Sequence, residues 1–432
     1  MSKHNILLLG SGGREHTLAW KMHLSEQCGS LYIAPGNGGT QDVGTNVTLD
    51  PMDFSAVGKF CLEKDIDILV IGPEAPLVEG IVDHFRENPA LANVLCIGPA
   101  TQGAMLEGSK AFAKEFMAKY DIPTAGYRKF TPETREEGKS YLRNHDLPIV
   151  LKADGLAAGK GVVICASTEE AISEFDQMLD GKFGAAGAKV VVEEFLDGIE
   201  FSVFVLTDGK DYQILPIAKD YKRIGEGDTG LNTGGMGSVS PVPFVDNVLM
   251  QKVIDRVVDP TINGIAAERM DYTGFVFIGL IMVGGDPFVI EYNCRMGDPE
   301  TQVVMPRLKN DLLDLFLSLK DGTIGDQKIE MDPRTATAVV CVSGGYPGLY
   351  EKGKSINLPE ISEGSLIFHA GTKFVDAGTN FAKGELVTSG GRVVAATTLS
   401  TDMQSALAGS NAMADQIRYD GKYFRPDIGF DL

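Results

Sequence analysis

The stretch NILLLGSGGREHTLAW at residues 5–20 combines the pattern of a buried strand with a glycine-rich turn. An apolar run, Ile6 to Leu9, leads into Gly10-Ser11-Gly12-Gly13 and then into a helical stretch with Arg14, Glu15 and His16. In open α/β sheets the turn after such a strand places backbone amides and a helix N-terminus beside an anionic ligand. The stretch therefore predicts an α/β fold and raises the question of which ligand its turn binds.

The rest of the first hundred residues repeats this pattern. Three more apolar runs end in Gly or Pro: SLYIAPG (30–36), IDILVIGPE (66–74) and NVLCIGPA (93–100). Strands that are buried on both faces and separated by helical stretches indicate parallel βαβ units. We predict a doubly wound parallel sheet at the start of the chain.

The opening turn does not match a nicotinamide-dinucleotide fingerprint. That motif needs a third glycine where Glu15 stands, and an acidic residue at the tip of the next strand, where the chain has Pro35-Gly36-Asn37. The amides of Ser11 to Arg14 can still bind a phosphate or a carboxylate, and we predict an anion loop. The alternative is a glycine turn that only lets a helix pack on a strand.

Composition limits the class of protein. The 432 residues suggest two to four domains, and a net charge of −20 argues against nucleic-acid and anionic-membrane partners. The start of the chain does not resemble a signal peptide, and the apolar stretch at 274–285 is too short to span a bilayer. Six scattered cysteines without a CxxC pair favour reduced thiols. We expect a cytoplasmic protein.

The middle of the chain carries a glycine-rich loop between two lysines. SKAFAKEFMAKYDIP (109–123) predicts a helix with Ser109 as its N-cap, and PIVLKADGLAAGKGVVIC (148–165) predicts a strand, a loop and a strand. The spacing is not that of a P-loop, yet the loop could close over a polyphosphate. Downstream, 188–218 reads as three strands separated by turns at Asp197-Gly198 and Asp208-Gly209.

The segment IEYNCRMGDPETQ (290–302) carries the most specific pattern of candidate ligand side chains in the sequence. It ends a hairpin predicted at 273–293, with a turn around Gly284 to Pro287. Alternation along the strand puts Glu291 and Asn293 on one face, with Ile290 and Tyr292 toward the core. A carboxylate beside an amide oxygen suits Mg²⁺ or Mn²⁺. Arg295 and Asp298 follow, and the guanidinium could hold a carboxylate.

Residues 219–243 lack hydrophobic periodicity and read as a long irregular loop. Loops of this length inside a compact domain are usually functional or disordered. Its cations and glycines favour function.

Five segments, taken in this order, resemble the ATP-grasp ligases and, among them, the glycinamide ribonucleotide synthetase family. They are GSGGREH (10–16), LKADGLAAGKGV (151–162), NTGGMG (232–237), RMGDPETQVVMPRL (295–308) and FHAGT (368–372). The resemblance covers essentially the whole chain. Mild departures are Met296 where Phe is more usual, Cys294 where a small residue is expected, and Thr17 where Ala is usual.

The resemblance implies an α/β fold, α+β in parts, made of three regions. Residues 1–102 would form the doubly wound, substrate-binding N-terminal domain. Residues 103–327 would form a two-lobed ATP-grasp region, with a small lobe inserted at about 122–192. Residues 328–432 would form a small β-rich domain that closes the cleft.

The resemblance also implies an assignment of site residues. ATP would lie between two antiparallel sheets, with Lys110 and Lys152 on the phosphates and 155–161 as a lid. The residues implied for ATP are Lys110, Lys152, Gly155, Gly159, Lys160, Gly161, Glu193, Glu194, Phe195, Leu196 and Glu200. Among them Glu193 to Leu196 would meet adenine and Glu200 the ribose. Mg²⁺ or Mn²⁺ would bind Glu291 and Asn293, and the catalytic candidates are Arg295, Lys152 and Asp220. Candidates for the other substrates are Gly10, Gly12, Gly13, Arg14, Glu15, Gly38, Gly39, Pro73, Glu74, Lys222, Arg223, Gly234, Gly235, Met236, Gly237 and Asp298.

The implied reaction joins glycine to 5-phosphoribosylamine, with ATP giving ADP and phosphate through glycyl phosphate, in de novo purine biosynthesis. Small molecules would be the partners of a monomer or weak homodimer, without a covalent enzyme intermediate. Two alternatives remain open: an ATP-grasp ligase for another acid and amine, and a nucleotide-binding regulatory or scaffold protein. Residues 295–308 argue against the first. Retained metal ligands and a phosphate lid argue against the second.

Overall fold

A computed structural model describes residues 3–156, 161–184, 189–375 and 384–432. Within these ranges the strands form a five-stranded parallel sheet, three antiparallel sheets of four or five strands, and two small hairpins. The helices of this part are all too short or too polar to cross a membrane. The six cysteines are free thiols, and all but Cys28 are buried.

The N-terminal region is the predicted doubly wound parallel sheet. Its strand order is β3-β2-β1-β4-β5, so the winding reverses at β1, which pairs with both β2 and β4. The run Ile6–Leu9 is completely buried, because helices cover both faces of the sheet. The elements are β1 (His4–Gly10), α1 (Gly13–His23), β2 (Cys28–Pro35), β3 (Thr45–Asn46), α2 (Phe54–Glu63), β4 (Ile68–Ile71), α3 (Glu74–Val78), α4 (Ile81–Glu87) and β5 (Leu95–Ile97). The loops after β1, β2 and β4 therefore meet at one edge, where such sheets bind ligands.

A small lobe follows with its own core. Its antiparallel sheet has the order β6-β9-β7-β8, and two helices pack against it around Phe130, Leu142 and Phe175. Two helices precede the lobe and pack into the core of the N-terminal and larger central sheets, α5 (Thr101–Gly108) and α6 (Lys110–Lys119). The elements of the lobe are β6 (Tyr127–Phe130), α7 (Arg135–Arg143), β7 (Ile149–Ala153), β8 (Val162–Cys165), α8 (Thr168–Leu179) and β9 (Val190–Glu194). The helix predicted at 109–123 is confirmed, and the Ser109 hydroxyl caps it by accepting the Phe112 N–H at 3.1 Å.

The larger central sheet has the order β11-β10-β16-β17. The elements of this part are β10 (Ile199–Thr207), β11 (Tyr212–Ile214), β12 (Lys219–Asp220), β13 (Arg223–Gly225), β14 (Thr229–Asn232), β15 (Gly237–Ser240), α9 (Asn247–Val253), α10 (Asp259–Ala267), β16 (Gly274–Val283), β17 (Asp286–Asn293), α11 (Thr301–Arg307) and α12 (Leu312–Asp321). The hairpin predicted at 273–293 is confirmed as β16–β17, and it turns at Gly284-Gly285, both with positive φ.

The three strands predicted within 188–218 are confirmed as β9, β10 and β11, and the connection at Asp197-Gly198 joins two different sheets. Two other sequence expectations for this part need correction. The stretch 219–243 is not irregular, since it forms four strands of two to four residues, too short to show a periodic pattern. Ile290 does not face the core: the register passes from Leu280 opposite Val289 to Gly279 opposite Glu291, so Ile290 is the extra residue of a bulge. Ile290 therefore lines a cavity together with Glu291.

The C-terminal region shares its sheet with the central region. The order β12-β15-β18-β22-β19 begins with two strands that precede the other three by about a hundred residues of chain. The elements are β18 (Thr335–Val342), β19 (Ser365–His369), β20 (Thr372–Val375), β21 (Glu385–Thr388), β22 (Arg392–Ser400) and α13 (Met403–Gln416). The β-rich character expected for this region is confirmed, with β18, β22 and β19 as neighbours in one antiparallel arrangement. This shared sheet connects the two regions through backbone hydrogen bonds.

Candidate active site

One buried carboxylate holds two lysines at the junction of the lobes. Glu193 Oε2 lies 2.9 Å from Lys152 Nζ and 3.2 Å from Lys114 Nζ. Lys152 Nζ also donates to the Ile290 carbonyl oxygen at 3.2 Å, so a side chain of the small lobe contacts a strand of the larger sheet. Burial lowers the pKa of Lys114 to about 8, against the opposing effect of Glu193. The other oxygen of Glu193 is buried without a hydrogen-bond partner among the described residues.

The glycine-rich loop starts beside the N-terminus of α6. Asp154 accepts hydrogen bonds from the Ser109 hydroxyl at 3.0 Å and from the Ala111 N–H at 2.7 Å. Lys110 Nζ lies 3.4 Å from the Gly155 carbonyl oxygen, and burial lowers its pKa although Glu291 opposes this. Of the predicted lid, Gly155 and Gly161 are described, whereas Gly159 and Lys160 lie outside the described residues.

The predicted adenine segment connects the two lobes. Glu194 ends β9, and its side chain accepts the Gly126 N–H at 2.8 Å. Phe195 and Leu196 follow between β9 and β10, and Phe195 is 40% exposed. Glu193 Oε2 and Glu194 Oε1 are therefore engaged within the protein. The backbone and the side chains of Phe195 and Leu196 remain for a ligand.

A second charged cluster lies on the larger sheet. Lys222 Nζ is 2.6 Å from Glu200 Oε2 and 3.1 Å from Asp220 Oδ1, and the three side chains line a small cavity with Glu291. Burial would lower the pKa of Lys222, but Asp220, Glu200 and Glu291 raise it well above its ordinary value. The structure thus brings together four predicted residues that come from three separate strands or their ends.

The proposed metal ligands lie at the end of β17. Glu291 and Asn293 follow the bulge at Ile290, and the Asn293 amide nitrogen is buried without a hydrogen-bond partner among the described residues. In the described ranges no three His, Cys, Asp or Glu side chains converge to hold a cation alone. A carboxylate and an amide oxygen are hard donors, so these residues fit a divalent ion that takes its other ligands from phosphates and water.

Arg295 is fixed by two carboxylates from other regions. Its Nη2 donates to Glu107 Oε1 at 2.5 Å, and its Nε lies 3.4 Å from Glu74 Oε2. Burial would lower the pKa of Arg295, yet these carboxylates raise it above its ordinary value. Glu107 also accepts the Cys294 N–H at 2.8 Å and the Cys294 thiol at 3.1 Å. The predicted guanidinium–carboxylate contact exists in this structure, with protein carboxylates as its partners.

The opening loop already contains bound carboxylates. The Gly12 N–H donates to Glu15 at 2.5 Å, the Arg14 N–H donates to Asp298 at 3.2 Å, and Arg14 Nε donates to Glu15 at 2.6 Å. The expectation that all amides from Ser11 to Arg14 are free for an anion is therefore wrong for Gly12 and Arg14. The reason is the helix dipole, which favours negative charge at the start of α1 and is used here by side chains of the protein.

A cleft of about 330 Å³ opens between the N-terminal and C-terminal regions. Asn37 holds its inner wall, because its amide nitrogen donates to the Ser11 carbonyl at 2.9 Å and to the His369 carbonyl at 2.8 Å. Gly36 has a φ of 72°, and a Cβ there would lie 2.2 Å from the Asn46 side chain. The cleft is lined by Ser11, Gly12, Gly36, Asn37, Asp298, Tyr346, Ala370, Gly371, Thr372, Ser389, Gly390 and Arg392.

Other predicted substrate residues have mainly structural neighbours. Gly38 N–H donates to the Thr372 carbonyl, and a Cβ on Gly39 would lie 2.3 Å from His16. Met236 is completely buried in the core of the C-terminal region, and Arg223 donates to the Gly230 carbonyl at 2.8 Å. Gly10 and Gly13 flank the opening turn, Pro73 precedes Glu74, Gly234 and Gly235 lie beside Arg392 and Pro299, and Gly237 starts β15. The side chains of Arg223 and Met236 are thus not brought to the cleft.

Five side chains of these clusters were missed from the sequence. Lys114 has only the signal of a helix position, and Glu107 lies in a stretch without a motif. Glu300 lies inside the segment at 290–302, and burial together with the Asp220 carboxylate raises its pKa. Tyr346 and Arg392 come from the C-terminal region, where only FHAGT (368–372) carries the family resemblance.

Comparisons with known proteins show which family this chain is similar to. Family models match residues 4–107 as "Phosphoribosylglycinamide synthetase, N domain", 108–301 as its ATP-grasp (A) domain, and 336–431 as its C domain. A phosphoribosylamine–glycine ligase of Agrobacterium fabrum is 46% identical, with 98% of each chain covered, and one of Salmonella typhimurium is 45% identical, also with 98% of each chain covered.

Solved structures give a similar result. The crystal structure of a phosphoribosylamine–glycine ligase from Thermotoga maritima has a TM-score of 0.83 and 35% identity, covering 98% of this chain and 99% of that one. N5-carboxyaminoimidazole ribonucleotide synthetase from Thermus thermophilus shares the fold at a TM-score of 0.62 and 18% identity, covering 94% and 96% of the two chains.

Two neutral histidines beside the cleft predict a specific pH dependence of stability. His16 Nδ1 accepts the backbone N–H of His369 at 2.7 Å. Burial lowers the pKa of His16 to about 3 and the pKa of His369 to about 4. Both groups bind protons more readily when unfolded, so stability falls as the pH drops below the ordinary histidine range. From pH 7 to pH 5 the His16 contribution to this loss is about 2 kcal/mol.

Asparagine at this position can still accept the His369 N–H without titrating. We expect the free energy of unfolding in urea to fall less for His16→Asn than for the wild type over this pH interval. The control is His23→Asn, an exposed position on the same helix, which should retain the wild-type dependence. Equal losses for wild type and His16→Asn would contradict the neutral buried state.

Proposed function

Since this chain belongs to the phosphoribosylglycinamide synthetase family, we propose how its side chains perform that family's reaction. The chain is an ADP-forming carbon–nitrogen ligase of purine biosynthesis that joins glycine to 5-phosphoribosylamine with ATP. The relatives and the matched domains support this activity along nearly the whole chain. The residue roles below are inferred from the contacts described above.

ATP binds between the small lobe and the larger sheet. Lys110 and Lys152 meet its phosphates, close to Gly155. Glu193 acts through its contacts with Lys152 and Lys114, holding two ammonium groups close together despite their repulsion. Adenine lies against the backbone of 193–196 and against Phe195 and Leu196. Glu200 meets the ribose after exchanging its contact with Lys222.

Glu291 and Asn293 hold the divalent cation that ATP-grasp enzymes use with ATP. The bound cation, Mg²⁺ or Mn²⁺, supplies charge neutralisation on the phosphates. Lys110, which is electrostatically coupled to Glu291, adds positive charge on the same side. The single observation that carries this assignment is the pair of oxygen donors beside the lysines at the lobe junction.

The chemistry proceeds in two displacements. A glycine carboxylate oxygen attacks the γ-phosphorus, the bond to the β,γ-bridging oxygen breaks, and ADP leaves with glycyl phosphate remaining. The amine of phosphoribosylamine then attacks the carbonyl carbon, the C–O bond to phosphate breaks, and the nitrogen loses a proton. Positioning and charge neutralisation dominate such transfers, so no enzyme nucleophile is needed.

Arg295 and Asp220 have different roles in these displacements. Arg295 keeps two N–H donors beyond its three protein contacts, and it stabilises the negative charge of the acyl phosphate. Asp220 faces the cavity with Glu291 and contacts an amine. Glu74 holds Arg295 in place.

The 5′-phosphate of phosphoribosylamine binds on the C-terminal side of the 330 Å³ cleft. Glu15 and Asp298 make the α1 side negative, whereas Gly371, Ser389 and Gly390 line the opposite side beside the positive charge of Arg392. The opening loop then meets the sugar, with the Asp298 carboxylate suited to its hydroxyls.

The remaining proposals concern organisation. We place domain boundaries near 102 and 327, with the small lobe at about 122–192. The chain acts in the cytoplasm as a monomer or weak homodimer, without nucleic-acid or membrane partners. Sedimentation velocity tests the oligomeric state, and a stable tetramer would contradict it.

Removal of the metal-binding carboxylate should stop the reaction. Glu291→Ala lowers ADP release by about 100-fold or more, because the charge that neutralises the transferred phosphoryl group is no longer held in place. ADP release is measured with ATP, glycine and freshly made phosphoribosylamine, and again with each acceptor omitted. In the wild type, omission of glycine must abolish it.

The matched control is Glu330→Ala, an exposed carboxylate that should leave the rate unchanged. Wild-type rates for Glu291→Ala at saturating ATP and Mg²⁺ would refute the metal assignment. ADP release without glycine would refute the reaction.

Replacement of Arg392 should weaken binding of one substrate only. Arg392→Met keeps the apolar stem but loses the charge, so the KM for phosphoribosylamine rises about 10- to 100-fold, the equivalent of ~1.5–3 kcal/mol for a charged hydrogen bond. Steady-state kinetics should show nearly unchanged KM values for ATP and glycine. Arg418→Met, at an exposed position, is the control. An unchanged KM for phosphoribosylamine would contradict phosphate binding at Arg392 and would indicate another wall of the cleft.

A further inference from the structure

The stretch 219–222 presents different chemistry on its two faces. Alternation in an extended chain places Asp220 and Lys222 on one side and Lys219 and Tyr221 on the other. Asp220 and Lys222 contact each other and line the cavity with Glu291. Lys219 and Tyr221 are both buried, with the ammonium group 4.7 Å from the ring centroid. One face of this stretch therefore belongs to the site and the other to the protein interior.

Asp431 holds the interior face at two points. Its Oδ1 accepts the Tyr221 hydroxyl at 2.7 Å, and its Oδ2 lies 3.2 Å from Lys219 Nζ. These two residues flank Asp220 in sequence. One carboxylate from a residue 210 positions away from Tyr221 thus fixes the backbone on both sides of Asp220.

The chain around Asp431 is itself anchored to the neighbouring hairpin β13–β14. Arg425 is completely buried and lies 2.6 Å from Asp228 and 2.8 Å from Asp427. Asp427 also accepts the Gly227 N–H at 2.8 Å, and the Tyr423 hydroxyl donates to the Ile224 carbonyl at 3.0 Å. The segment 423–431 is therefore bound along the whole side of the 219–232 stretch.

Backbone hydrogen bonds also hold this stretch before and after Asp220. β12 pairs with β15, at Lys219 opposite Val239 and Asp220 opposite Ser238, and Ala218 before it pairs with Ser202 of β10. The Tyr221 N–H donates to the Gly237 carbonyl, and the Tyr221 carbonyl accepts the Met236 N–H. The contacts of Asp431 add side-chain support on the face opposite Asp220.

We propose that Asp431 is a positioning residue for the reaction, which orients Asp220 and Lys222 by holding Lys219 and Tyr221 from the opposite face. The inference rests on the proposed contact of Asp220 with an amine. It gives the C-terminal segment a role in the chemistry in addition to closing a cleft.

Asp431→Ala, which removes both contacts, tests this. Because misplacement of a contact by about 1 Å can cost up to about 100-fold, we expect kcat/KM for glycine or phosphoribosylamine to fall about 10- to 100-fold. The KM for ATP should change much less, because Lys110, Lys152 and the adenine segment lie on other elements and only Glu200 contacts Lys222. Loss of stability alone would not produce such a split between substrates.

Two milder variants keep the test valid if Asp431→Ala folds poorly. In Asp431→Asn the side-chain oxygen still accepts the Tyr221 hydroxyl, but the negative charge opposite Lys219 is lost. Tyr221→Phe loses only the hydroxyl. Both should show the same substrate-selective defect at a smaller size. Asp420→Asn, an exposed ion-pair partner of Lys354, is the control and should match the wild type.

Asp220→Asn, measured in parallel, separates this inference from the proposed function. If Asp220→Asn is impaired while Asp431→Ala, Asp431→Asn and Tyr221→Phe all match the wild type, the positioning role is refuted and the amine contact stands. If Asp220→Asn is fully active while the Asp431 variants show the selective defect, the amine contact falls and positioning acts through Lys222. Equal loss for all three substrates in every Asp431 variant would also refute positioning.

Discussion

The ion pairs of Arg295 and Asp298 hold the three regions of the molecule to one short segment. Arg295 is bound by Glu74 after β4 and by Glu107 on α5, and Asp298 accepts the backbone N–H of Arg14 in the opening turn. Arg392 of the C-terminal region lies 3.4 Å from Asp298. Each region thus contributes a partner of opposite charge or a hydrogen-bond donor. The site exists because the chain after β17 is fixed from all three sides.

This arrangement explains how a chain with a net charge of −20 can act on anionic substrates. The cations are concentrated at the junction, where Glu193 holds two lysines and Asp298 is close to Arg392. Burial raises the pKa of Asp298, but Arg392 and Arg14 lower it below its ordinary value, so it remains charged. Local pairing, rather than overall charge, determines what the cleft can bind.

Much of the fold could be predicted because its signals are local. The apolar strand at Ile6–Leu9, the Ser109 cap and the turn at Gly284-Gly285 each depend on a few consecutive residues. The bulge at Ile290 could not be predicted, because it depends on the register with the neighbouring strand. The short strands within 219–243 could not be predicted for a related reason, since a two-residue strand forms only where a sheet already exists.

The site was predictable in its motifs and not in its partners. Segment 290–302 carries donors that any reader can recognise, but the contact of Arg14 with Asp298 joins residues 284 apart. Asp431 and Tyr221 are 210 apart and belong to no motif. A buried charge needs a partner, and the fold rather than the spacing in sequence determines which residue supplies it. These pairs therefore could not be predicted from the sequence alone.

The most direct test of the two-displacement reaction follows the oxygen atoms of glycine. Glycine labelled with ¹⁸O in both carboxylate oxygens is turned over with ATP and phosphoribosylamine, and the inorganic phosphate is analysed by mass spectrometry. Formation of glycyl phosphate transfers one labelled oxygen to each phosphate and leaves the other in the amide. Phosphate without label would contradict attack of the glycine carboxylate on ATP, and with it the reaction proposed for this site.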